Sequence, residues 1–181
     1  MLTIALLLIA ALVAAVLIYA ATRPATFRIS RSATIHAAPE AIFPLVNDLR
    51  AHRTWSPFDR DANMKRAYKG PETGKGSVYE FDGGNKSGAG SLAITDATAP
   101  SQILMRLAMT KPLRCDNVVE FTFEPRDGAT VVTWAMYGPN TYAAKLMNVF
   151  VDCSKMCERQ FDEGLARLKS LAEADRLTSA A

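Results

Sequence analysis

An acid–base or metal enzyme needs ionisable groups gathered in a cleft, and this 181-residue chain offers few candidates. His36 and His52 fall at a strand end and in a loop, and both read as solvated surface residues. Asp59, Arg60 and Asp61 resemble a paired-carboxylate run, yet three adjacent loop charges read as solvated. Tyr79 lies at an inward strand position, where a lone tyrosine is usually structural. Chemistry on a carbonyl would require Tyr79, Tyr137, Asn140 or Asp116 to turn inward and polarise it or shuttle a proton. Cys115, Cys153 and Cys157 are odd in number, and no Cys-x-x-Cys occurs, so neither a disulfide framework nor a zinc site is expected. Glycines 83, 84, 88 and 90 sit in a hairpin rather than before a helix, which disfavours phosphate cradling. Asn85-Lys86-Ser87 is a sequon match of the kind common by chance. No nucleophile elbow is present, and no catalytic set, metal or cofactor is expected.

The more informative pattern is apolar. Inward strand positions carry Tyr79, Phe81, Met105, Leu107, Met109, Phe121, Phe123, Trp134 and Met136. Met147 and Met156 add to them from the C-terminal segment. Methionine is pliable and suits an adaptable apolar lining. The same residues would equally build a tightly packed core, so cavity and core both stay open on pattern alone. Trp55 to Phe58 would border a cavity mouth, with the loops after Gly83 and Lys111.

These side chains need a sheet to hold them. Phe27, Ile29, Ala33 and Ile35 alternate with polar residues, predicting a half-buried strand over 26–36 that Arg31 interrupts. Ala38-Pro39-Glu40 opens a helix, which Pro44 should distort or split. From residue 62 onward, short alternating runs separated by Gly or Pro predict an antiparallel meander, with a hairpin at Arg126-Asp127-Gly128. Apolar residues spaced three and four apart then predict one long helix over 142–174. An antiparallel sheet with one polar face must bury the other, and that helix is the only element large enough to cover it.

Charge divides the chain in two. Lys+Arg number 21 and Asp+Glu 18, all at or after Arg23. The first 22 residues are apolar except Thr3 and Thr22. As a helix, Leu2 to Ala21 would reach about 30 Å, the thickness of a bilayer's hydrocarbon core. We expect a transmembrane anchor over 1–22, a linker over 23–25, a domain over 26–176 and a flexible tail over 177–181. A cleaved signal is the competing reading of the first segment, although no Lys or Arg precedes it. Arg23, Arg28 and Arg31 follow the span and place the domain in the cytoplasm by the positive-inside rule. Cleavage would make it periplasmic or secreted instead. A net charge of +3 gives no reason to expect nucleic acid.

The strand leading into IHAAPEAIFPLVNDL, then WSPF, GAGSLAIT, FTFEPRDGATVVTWAMYG and FDEGLARLKSLAE follow one another in an order that resembles the START-like superfamily. This is the SRPBCC-type group of polyketide cyclases, aromatases and lipid-transfer proteins. The resemblance covers roughly Phe27 to Glu173. It implies an α+β helix-grip fold, a curved antiparallel sheet wrapped around the C-terminal helix with an apolar cavity between them. It implies no single activity. The expected ligand is a lipid, isoprenoid or polyketide-like molecule, held by a monomeric, membrane-tethered domain. The expected lining is Trp55, Phe58, Tyr79, Phe81, Met105, Leu107, Met109, Phe121, Phe123, Trp134, Met136 and Met147. A cyclase or dehydratase acting on an apolar substrate is the alternative.

Overall fold

The structure is a computed structural model that describes residues 2–84 and 88–179. The Asn85-Lys86-Ser87 sequon lies outside the described residues. Seven strands form one antiparallel sheet: β1 (Thr26–Ile35), β2 (Lys65–Lys69), β3 (Val78–Asp82), β4 (Ala89–Thr98), β5 (Gln102–Lys111), β6 (Cys115–Arg126) and β7 (Ala129–Pro139). Their spatial order is β1-β7-β6-β5-β4-β3-β2. The meander is the one the alternation predicts, and β1 pairs with the last strand. Between β6 and β7, Asp127 and Gly128 have φ of 50° and 77°. A two-residue hairpin needs that left-handed pair, which is why Asp-Gly stands there. The turn fixes the register, setting Phe121 opposite Trp134 and Val119 opposite Met136 on the concave face.

Helix α1 (Leu2–Thr22) precedes the sheet, and α2 (Pro39–Asn47), α3 (His52–Trp55) and a 3-10 turn at Pro57–Asp59 follow β1. Pro44 does not split α2: nine residues run through it, with Ile42, Phe43 and Val46 buried. The C-terminal helix departs from expectation. It is two helices, α4 (Tyr142–Phe150) and α5 (Cys153–Ser179), parted at Val151, whose backbone is extended. Asn148 Oδ1 accepts the Cys153 N–H at 3.2 Å, and Asp152 Oδ1 accepts the Lys155 N–H at 3.0 Å. Short polar side chains thus satisfy the backbone groups that a continuous helix would pair internally. At the other end, α5 extends to Ser179, so the expected tail is helical over 177–179.

Helix α5 fills the concave face. Phe161, Leu165 and Leu168 are fully buried, and Phe161 stacks on Trp134 with centroids 4.2 Å apart. Gly164 allows that approach, since a Cβ there would lie 2.7 Å from the Trp134 ring and 3.0 Å from Pro57. Along β1, Arg31 does not break the strand. It keeps register with Trp134 and bonds Glu158 and Asp162 of α5 at 2.6 and 3.3 Å. Further along, Lys169 donates to the Thr34 carbonyl, and the His36 N–H donates to Glu173. Helix α1 is nearly uncovered, but its last turns meet α4, where Tyr142 Oη donates to the Leu17 carbonyl at 3.0 Å.

Candidate binding cavity

A cavity of about 280 Å³ lies between the concave sheet face, α5 and the segment from α3 through the 3-10 turn. Ten of the twelve expected residues line it: Trp55, Phe58, Tyr79, Phe81, Met105, Leu107, Met109, Phe121, Trp134 and Met136. Two do not. Phe123 has the right strand phase but sits one step further along β6, buried in the core against Phe43 with centroids 5.6 Å apart. Met147 belongs to α4, which turns away at Val151, and is 41% exposed. Met156, also expected on the lining, is exposed on α5.

The aromatic wall is held from several elements. Trp55 donates through Nε1 to the Leu45 carbonyl at 3.0 Å and meets Trp134 and Phe121 edge-on at 5.5 and 5.8 Å. Trp134 is stacked between Phe121 and Phe161. Edge-to-face and offset-stacked pairs are the arrangements aromatic quadrupoles favour. Phe58 is half exposed and packs edge-on against Trp134 and Phe161, placing it at the rim.

Ser56 lines it within the expected Trp55–Phe58 mouth, and His52, Asp59, Leu92, Cys115, Asn117, Val119, Cys157 and Phe161 line it without a signal in the sequence reading. His52 and Asp59 correct the reading directly, because both are buried rather than solvated. His52 Nε2 lies 2.8 Å from the Val46 carbonyl, which can only accept, so that nitrogen carries the proton. Burial lowers its pKa from the ordinary histidine value, outweighing the bond to Val46 and the charges of Asp59 and Asp48. Asp59 Oδ1 accepts from Arg66 Nε at 2.7 Å and from Tyr79 Oη at 2.8 Å. Arg66 also donates to the carbonyls of Asp59, Asp61 and Met64, which ties the loop to β2. Burial, then the Asp59 bond, hold the Tyr79 phenol well above its ordinary pKa. Its proton is therefore committed to Asp59.

Of the four groups that carbonyl chemistry would need, only Tyr79 lines the cavity. Asp116 is exposed and paired with Arg106, Asn140 donates to the Pro24 carbonyl, and Tyr137 lies beneath the Arg28 guanidinium. Asn117, one residue beyond Asp116, takes the inward phase instead. The Cys115 and Cys157 thiols are pushed up by burial, which makes them poor nucleophiles. Among the described residues, no group of three or more His, Cys, Asp or Glu side chains could hold a metal ion.

Solved structures share this architecture. The Aha1 dimer from Colwellia psychrerythraea superposes with a TM-score of 0.60 at 18% identity, over 81% of this chain and 96% of that one. Protein CV1439 from Chromobacterium violaceum gives 0.57 at 16%, over 83% and 99%. The di-domain ARO/CYC BexL from the BE-7585A biosynthetic pathway gives 0.59 at 14%, over 86% of this chain and 52% of that one. At these identities the likeness concerns the fold. No curated protein matches the chain in sequence. A family model described as "Polyketide cyclase / dehydrase and lipid transport" matches residues 26–173, and with the sheet, the cavity and most of α5 inside that span, the chain belongs to this family.

Proposed function

We propose that the protein is a membrane-tethered module that binds a hydrophobic small molecule between the sheet and α5. One observation carries the reading: the cavity wall is predominantly apolar, while His52 Nε2, Tyr79 Oη and Asp59 Oδ1 within it are bonded to the protein itself, leaving Asp59 Oδ2 as a buried oxygen without a partner among the described residues. Sites of this kind recognise ligands chiefly by apolar contact and shape. Helix α1 tethers the domain, and Arg23, Arg28 and Arg31 keep it on the cytoplasmic side. Both tryptophans of the chain line the cavity, so occupancy has a built-in reporter. The full chain in phosphatidylcholine nanodiscs should transfer tryptophan excitation to the neutral probe N-phenyl-1-naphthylamine, saturably and above empty discs. Substituting Leu92→Phe and Leu107→Phe, which face each other across β4 and β5, should abolish saturation without loss of folding. Saturation that survives the filled cavity would overturn the reading.

The second reading is an enzyme of cyclase or dehydratase type. The observation favouring it is His52, an imidazole in the cavity wall that burial keeps in its neutral form, the form a general base requires. The family description makes a polyketide the class of test substrate. Turnover lost in His52→Gln with probe binding intact would establish it.

A further inference from the structure

Beside the cavity lies a larger vestibule of about 790 Å³, and the two share Cys115, Asn117, Met136 and Cys157 as a common wall. The vestibule has a different chemistry from the cavity. Arg23, Arg28, Arg114 and Lys145 line it against a single carboxylate, Asp152. Asp152 is already paired with Lys155 at 3.0 Å, and Arg28 with Glu120 at 3.2 Å. Arg23, Arg114 and Lys145 have no carboxylate partner among the described residues. Arg23 lies over the Tyr19 ring, 5.3 Å from its centroid, and three cations without a carboxylate partner in one recess are an anion-binding arrangement.

The recess also has a defined position. Arg23 is the first residue after α1, and α4, which forms another wall, is bonded to the last turns of α1 through Tyr142. Leu113 and Met147 line the vestibule and are both 41% exposed. Where α1 leaves a bilayer, the vestibule opens among lipid headgroups with apolar side chains at its rim. The apolar cavity lies behind the shared wall.

We propose, resting on the cavity-binding reading above, that the ligand is a single-chained anionic amphiphile. Its carboxylate or phosphate sits among Arg23, Arg114 and Lys145. Its apolar part passes Asn117 and Met136 into the cavity, whose volume at the small end of ligand sites suits one chain or ring system. The ligand enters from the membrane side.

The test uses the full chain in phosphatidylcholine nanodiscs with two probes, 11-(dansylamino)undecanoic acid and its methyl ester, read by energy transfer from Trp55 and Trp134. The acid should bind at least tenfold more tightly than the ester, and the difference should shrink at high salt. Arg114→Gln with Lys145→Gln should bring the acid to the affinity of the ester and leave the ester unchanged. The charge-conserving pair Arg114→Lys with Lys145→Arg should retain most of the preference. Lysophosphatidic acid in the disc should displace the acid, whereas inorganic phosphate should not. Equal affinity of the two probes for the native chain would overturn the anionic headgroup while leaving the cavity reading intact. Displacement by inorganic phosphate alone would reduce the vestibule to a plain anion site and overturn the amphiphile. If neither probe binds the native chain, both readings fall.

Discussion

Burial keeps the His52 imidazole neutral in the folded protein, and that has a measurable cost in acid. Its folded pKa lies below the unfolded value of about 6.5, so at higher pH both states are neutral and nothing is lost. Below about pH 6.5 the unfolded chain takes up a proton that the folded one refuses, and stability falls until the folded pKa is reached. The melting temperature should therefore decline below pH 6.5, by about 2–4 °C per kcal/mol for a domain of this size. In His52→Gln, which can still donate to the Val46 carbonyl, that part of the decline should vanish; parallel curves for the two proteins would refute the assignment. The burial of His52 and Asp59 was not legible in RAHRTWSPFDR, because it depends on α5 and the sheet closing over the loop. Asn117 was legible in principle. It shares the odd phase of Val119 and Phe121, and simple extension of that alternation would have placed it inward.

At the scale of elements, Gly164 sets how close α5 comes to the sheet. Alanine in a helix interior is ordinarily favoured over glycine by about 1 kcal/mol. Here the added methyl would meet a rigid indole at 2.7 Å. Overpacking of that sort costs about 1–3 kcal/mol and should win. Gly164→Ala should lower stability by about 1 kcal/mol net and alter the near-ultraviolet circular dichroism of Trp134; an unchanged or raised melting temperature would show that the helix shifts freely. The strands were readable because alternation and the Asp-Gly turn act locally. The parting of α4 from α5 was not, since Leu146, Val149, Cys153 and Cys157 continue the helical spacing straight across it. The cue lay instead in Asn148 and Asp152, whose side chains compete for backbone groups.

For the whole molecule, α1 is the decisive segment. It presents eleven Leu, Ile and Val side chains, each favouring the bilayer centre by about 0.3–0.6 kcal/mol. Together they contribute on the order of 3–6 kcal/mol with no opposing charge. The full chain should stay with membranes through carbonate and high-salt extraction; a soluble product beginning near residue 22 would instead mark a cleaved signal. Tethering through α1, as proposed, would crowd copies of the protein into a plane, where neighbours collide far more often than in solution. An open sheet has two edges, and each is a template on which a second chain can grow a strand. Here the far end of one edge, β1, is met by the molecule's own α5, with Lys169 bonded to the Thr34 carbonyl and Glu173 to the His36 amide just beyond the strand. The other, β2, is only five residues long and carries Lys65 and Lys69 outward. A tethered copy would thus meet its neighbours with blunted sheet edges, β1 met by α5 at one end and β2 short and charged.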